Sequence, residues 1–321
     1  MTSYSDKAEM ISTDGSSTGT VQEFQWSWQK KPVTVVYETF GAGKPILLLP
    51  ALSSVSSRSE MYGLAEQLAQ HYQVVIPDWV GFGQSARPAF DYRPVLYHSF
   101  LKDFIRAVFT EPVVIIAAGH AAGYAMQMVA GVQRGVVLPV SWIVLVAPTW
   151  RGPLPTAMGD RRKLYSILRF LIRLPLLGQF LYWLNTLPPI LRWMYGRHVV
   201  GDRAHLTPEL MEKKWRTTQK RGARFASAAF VTGTLDPVHR RKHFFDYFQP
   251  PLAVPVLVVI GEQTPPRSLE EMEMLVHFSG VGLQVYRMPG SLGLHEEYPE
   301  QLAAGILPFL KKYLSGSGMR F

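Results

Sequence analysis

Six apolar residues in a row, Val113-Val114-Ile115-Ile116-Ala117-Ala118, run directly into Gly119-His120-Ala121-Ala122-Gly123. A short run with no polar position and four β-branched residues predicts a strand buried on both faces, which requires paired neighbours beside it and helices above and below. The small residues that follow let the chain turn tightly into a helix, predicted over 121–134. Similar runs predict strands at 22–28, 33–40, 46–49, 74–77, 142–146, 256–260 and 283–288, with helices at 59–71, 97–110, 269–279 and 299–314. Strands alternating with helix-length segments predict an α/β fold, an eight-stranded and mostly parallel sheet with helices on both faces.

About a hundred residues between the strands at 142–146 and 256–260 differ in character. They predict a helical cap over 148–249, inserted into a core domain made of 22–147 and 250–315, with prolines breaking it into short helices. The charge is concentrated there. Of the net +9, the stretch from Arg151 to Phe248 holds 18 Lys and Arg against 6 Asp and Glu, and the rest of the chain holds 15 against 18. Such a segment suits an anionic membrane, a nucleic acid or an acidic partner.

The polar stretch 1–21 predicts a disordered tail with no secretory signal, so the expected location is cytoplasmic, at most peripheral on a membrane. With 47% hydrophobic and 18% charged residues the chain is of globular type. The absence of cysteine excludes disulfides, thiolate metal sites and a cysteine nucleophile.

Four motifs in order resemble the α/β-hydrolase superfamily across roughly 21–314. Gly119-His120-Ala121-Ala122-Gly123 is similar to its nucleophile elbow. Asp78-Trp79-Val80-Gly81-Phe82-Gly83-Gln84-Ser85 is similar to the family loop after the fourth strand. Gly261-Glu262-Gln263-Thr264 is similar to the segment that carries the triad acid, and His295-Glu296-Glu297-Tyr298-Pro299-Glu300 to the segment after the triad histidine. The resemblance implies an α/β-hydrolase fold. Carried over residue by residue, it places Ala121 at the nucleophile, Thr264 at the acid and Leu292 at the histidine, none of which can perform that chemistry. Backbone amides of Leu52 and Ala122 are the expected remnant of an oxyanion-type pocket.

Two histidines keep a catalytic alternative open. His295, allowing a shift in its loop, is a candidate general base, and His120 a candidate for proton-transfer or lyase chemistry without a covalent intermediate. The plainer reading of His120 is packing beneath the turn. Ser53, Ser54, Ser56 and Ser57 read as turn and cap residues, Asp78 as ordering the glycine loop after it, and Asp236 as a turn or cap. Gly81-x-Gly83-x-x-Ala86 has the loose form of a dinucleotide fingerprint, but Arg87-Pro88 follows where a helix should open, so no cofactor is expected. The nine histidines show no metal-ligand spacing with carboxylates, and no metal is expected.

In the cap, Arg161-Arg162-Lys163 precedes Leu164, Ile167, Leu168, Leu171 and Ile172 at helical spacing, with Arg169 and Arg173 interspersed. Residues 174–191 then run without charge and include Phe180 and Trp183, with Arg192 and Trp193 beyond. Prolines argue against one spanning helix. One reading buries this apolar face over the sheet domain. The other dips it into a membrane interface between cationic flanks. Aromatics within aliphatic runs argue against nucleic acid. The functions expected are a non-hydrolytic binder of a hydrophobic small molecule (a lipid, isoprenoid or pigment tail), a divergent hydrolase or lyase acting on a hydrophobic ester or carbonyl substrate, or a scaffold that recruits a partner.

Overall fold

The computed structural model describes residues 19–132, 139–279 and 283–314. The tail expected over 1–21 lies almost wholly outside these residues, as do the last two positions of the helix expected over 121–134.

All eight predicted strands form: β1 Thr20–Trp28, β2 Lys31–Phe40, β3 Pro45–Leu49, β4 Gln73–Pro77, β5 Val113–Ala118, β6 Val140–Val146, β7 Val256–Gly261 and β8 Leu283–Met288. They make one sheet in the order β1-β2-β4-β3-β5-β6-β7-β8. β1 pairs antiparallel with β2 and β2 with β4, and every later pairing is parallel. Every residue of β3, β5 and β7 is buried, so both faces of the sheet centre are covered. That is the physical counterpart of the uninterrupted apolar runs.

The core helices are α1 Tyr62–Leu68, α2 Pro94–Val108, α3 Ala121–Val132, α11 Pro266–Ser279, α12 Leu294–Glu297 and α13 Pro299–Leu314. A 3-10 turn at Arg58–Met61 precedes α1. At the end of β4 the buried Asp78 accepts from the Arg58 amide (2.6 Å) and the Gln84 amide (2.7 Å) and pairs with the Arg58 guanidinium (2.6 Å), which also reaches Glu38 (2.8 Å). A Cβ on Gly83 would lie 1.9 Å from this carboxyl, so the loop closes around Asp78 only with glycine there.

Between β6 and β7 the chain folds into α4 Pro153–Met158, α5 Arg162–Arg173, α6 Pro175–Asn185, α7 Pro188–His198, α8 Pro208–Thr218, α9 Ala223–Val231 and α10 Arg241–Phe245. The prolines start these helices rather than merely interrupting them. Pro153, Pro175, Pro188 and Pro208 each occupy a first helical position, where the missing N–H is harmless. α5 and α6 are bent by 108° at Leu174, whose backbone is extended. The bend brings α6 onto the end of α5 so closely that a Cβ on Gly178 would meet the Ile172 carbonyl oxygen at 2.0 Å.

Candidate functional site

The strand-to-helix turn sits two residues earlier than glycine spacing places it. Gly119 has φ +51°, while Ala121 is the first residue of α3 and fully buried. Gly119 is the turn residue with left-handed backbone, the kind of position from which an elbow side chain projects. A side chain built on Gly119 would start 3.2 Å from Ala51 Cβ and 3.9 Å from Thr149 Oγ1, between the loops that leave β3 and β6. The Ala122 amide, expected to face a bound oxygen, donates instead to the Gly119 carbonyl (3.2 Å) inside the turn. Leu52, the other expected oxyanion position, is buried. Beside it, the Ala51 amide donates to Glu60 Oε1 at 2.5 Å.

His120 follows the apex and is 2% exposed. Its Nε2 lies 3.1 Å from the Leu235 carbonyl oxygen, which assigns the proton to that nitrogen, and 3.4 Å from Asp236 Oδ1. Phe230 meets the ring edge-on at 5.5 Å. Burial pushes the imidazole down to about 4 against the modest opposing effect of its bond to Leu235, so it is neutral near pH 7. Asp236 is pushed up to about 8 by burial, against the Gly152 amide that donates to it at 2.8 Å and the positive fields of Arg151 and Arg162. Asp236, read from sequence as a turn or cap, is thus the cap's contact with the elbow. Tyr124 completes this junction by donating to the same Leu235 carbonyl (2.7 Å).

Thr264 follows β7 and is buried, with its amide donating to Gly261 (3.2 Å). Leu292 packs partly buried against the main core. The adjoining Gly293 amide donates to Val199 of the cap at 2.7 Å, and a Cβ on Gly293 would lie 2.7 Å from Val199 Cγ1. His295 is 3% exposed, with Nε2 3.7 Å from Glu60 Oε1. Glu60 belongs to a cluster that residue-type reading missed. Lys214 of α8 reaches it at 3.8 Å and Glu296 at 2.8 Å, and lies over the Tyr195 ring at 5.5 Å. Burial alone would lower the ammonium's pKa, yet the fields of Glu296, Tyr195 and Glu60 outweigh it and hold Lys214 charged. Nothing local marks Lys214 apart from Lys213, because its partners come from remote parts of the chain.

On the outer cap apolar and charged residues are exposed together. In α5, Ile167 (58% exposed) and Phe170 (62%) face out together with Leu164, while Tyr165 is buried. Arg169 donates to Thr234 Oγ1 (2.6 Å) and Arg173 to the Phe90 carbonyl (2.8 Å). The stripe expected from Leu164 to Ile172 therefore splits across two faces, and those two partly exposed arginines each donate to the protein. In α6 and α7, Phe180, Trp183 and Trp193 are exposed, with Phe180 and Trp183 ring centroids 6.0 Å apart and Arg197 over Trp193 at 5.7 Å. Arg161, Arg162 and Lys163 are exposed at the start of α5. The reading that buries this apolar face over the sheet is overturned for these residues. Among the described residues no single helix is long and apolar enough to cross a membrane.

A parallel-centred sheet, a strand-to-helix turn with left-handed backbone and a helical insertion after the sixth strand define the architecture of an α/β hydrolase. The chain belongs to the Alpha/beta hydrolase family, whose sequence model matches residues 46–305. It is similar in fold to a thermophilic esterase from Thermogutta terrifontis (19% identity, 91% of this chain and 98% of that one, TM-score 0.67). It is likewise similar to a haloalkane dehalogenase from Agrobacterium tumefaciens C58 (15%, 91% and 97%, TM-score 0.67). Among curated proteins it is 33% identical over 87 residues to an uncharacterized protein of Mycobacterium tuberculosis, a match covering 27% of this chain. The chain spans about a quarter of the length of the curated relatives it matches.

Proposed function

We propose that this chain is a non-hydrolytic member of its family that holds a hydrophobic small molecule where the cap meets the sheet. The observation that carries the reading is Gly119. The turn residue from which a family nucleophile would project has no side chain, so no covalent acyl or alkyl intermediate can form on it. Thr264 and Leu292 support the same reading, since neither can orient or supply a general base. Where cap meets sheet, Val55 in the loop after β3 packs with Leu191, Tyr195, Leu206 and Met211 of the cap, an apolar contact that must part to admit the molecule. The rival chemistry, with His120 or His295 as base, is disfavoured by the burial of both and by the bond of His120 to the Leu235 carbonyl.

The test is labelling with a fluorophosphonate probe together with turnover of acyl esters of several chain lengths. We expect neither labelling nor turnover. Turnover abolished by His295→Ala or His120→Ala would establish the hydrolytic or lyase alternative. Solvent extraction of protein purified from its source, followed by mass spectrometry, is expected to release an apolar small molecule. An empty extract from protein that also fails to bind fluorescent fatty acyl probes overturns the binding half of the reading.

A further inference from the structure

We propose that the outer face of the cap, built by α5, α6 and α7, docks on an anionic lipid bilayer. The argument starts from where exposed apolar surface lies. Twelve large hydrophobic residues stand exposed among the described residues, and ten of them fall between Met158 and Trp193. Scattered exposed hydrophobics are ordinary on a protein surface, but a concentration on consecutive helices marks an interaction site. Leu176 is 89% exposed and has almost no contact with its own protein.

The orientation of α5 strengthens the case. A helix folded only for its own domain turns its apolar side inward and its charges outward. Here Ile167 and Phe170 point away from the domain while Arg169 and Arg173 are held against Thr234 and Phe90. On α6, Leu176, Phe180, Trp183 and Leu184 are all exposed, at spacings that share one face.

Charge selects the occupant. From Met158 to His198 there are seven Lys and Arg and one acidic residue, Asp160. Arg161, Arg162, Lys163, Arg192 and Arg197 are exposed around the apolar residues. An apolar face rimmed by cations matches the acyl boundary of a bilayer rimmed by anionic headgroups, and the aromatic rings suit the interface between them. A second copy of the chain would bring two identical cationic rims together, which costs energy. Geometry restricts the depth. α5 and α6 have 12 and 11 residues, so each is about 16–18 Å long against a hydrocarbon core of about 30 Å, and they diverge by 108°. They lie in the interface and do not cross it. This docking is independent of whether the cleft hydrolyses esters.

The test is flotation of the full chain with vesicles of phosphatidylcholine alone or mixed with phosphatidylglycerol, at low and high sodium chloride. We expect recovery with the mixed vesicles to exceed that with neutral ones by about tenfold or more. Salt should weaken this recovery without abolishing it. Leu176→Asp/Phe180→Asp should reduce recovery to the neutral-vesicle level with an unchanged Tm, because both side chains are already exposed. Arg161→Gln/Arg162→Gln/Lys163→Gln should lower recovery and flatten its salt dependence. Brominated lipid should quench tryptophan emission in the wild type, and much less so in Trp183→Phe/Trp193→Phe. Absence of flotation, or flotation indifferent to the Asp variant, overturns the proposal. So does lipid-free self-association that the Asp variant abolishes, which would make the face a contact between copies or with a protein partner.

Discussion

At the scale of single residues, Gly119 and the His120–Asp236 pair divide the elbow's inheritance. Gly119 keeps the backbone turn, since a left-handed conformation costs an L-residue about 1–2 kcal/mol and glycine avoids that cost. His120 and Asp236 use ionisable side chains in neutral form to join elbow and cap, and this makes stability depend on pH in a computable way. Asp236 titrates near 8 when folded and near its ordinary value unfolded, so between about 4 and 8 the folded state holds a proton the unfolded state lacks, and stability falls as pH rises. His120, lowered to about 4, acts oppositely between about 4 and its ordinary 6.5, where the unfolded state binds the extra proton. The two effects oppose each other up to about pH 6.5, and above it Asp236 acts alone until about pH 8. Denaturation across this range should show wild type losing roughly 1 kcal/mol per pH unit, relative to Asp236→Asn, between about 6.5 and 8. A constant difference between the two proteins over that interval would mean that Asp236 is ionised throughout.

At the scale of elements, the junction between α8 and the core rests on Lys214, held by Glu60 before α1 and Glu296 of α12. Removing the cation leaves the buried Glu60 carboxylate and the partly exposed Glu296 without their counter-charge. Lys214→Met should therefore cost about 3–5 kcal/mol in urea denaturation, and adding Glu296→Gln to it should recover part of that loss through the coupling of the pair. A Lys214→Met protein as stable as wild type would mean that water already reaches the cluster. None of this was readable from sequence, because Lys214 looks like any helix-surface lysine until residues 60 and 296 are brought beside it. The strands were readable because β5 and its neighbours are uninterrupted apolar runs, a property each carries alone. The cap lies between these cases. Periodicity tells which residues of α5 share a face, but not whether that face turns inward or outward. The elbow register was ambiguous for a similar reason, since Ala117, Ala118, Gly119, Ala121 and Ala122 are all small and only backbone conformation singles out Gly119.

At the scale of the whole molecule, charge and exposed apolar surface concentrate on one insertion while the rest of the chain is close to balanced, with a slight negative excess. Part of that cationic excess is matched by ion pairs across the junctions, such as Lys214 with Glu296 and Arg241 with Glu271 (2.5 Å). Arg161, Lys163, Arg192 and Arg197 instead stand exposed in a segment of net positive charge. Repulsion within the cap consequently opposes folding of the free protein, and screening should relieve it. Raising sodium chloride from low ionic strength to about 0.15 M, where the Debye length shortens to about 8 Å, should raise Tm by about 2–4 °C, on the order of 1 kcal/mol. Arg161→Gln/Lys163→Gln should raise Tm at low salt and flatten its rise, because the relief is already present without screening. A Tm that falls with salt would instead show that attractive pairs outweigh repulsion. The same substitutions are the ones expected to weaken recovery on anionic vesicles. A variant that becomes more stable in buffer while losing its membrane would locate the cost of docking in the free protein, where selection for stability alone would have removed these charges.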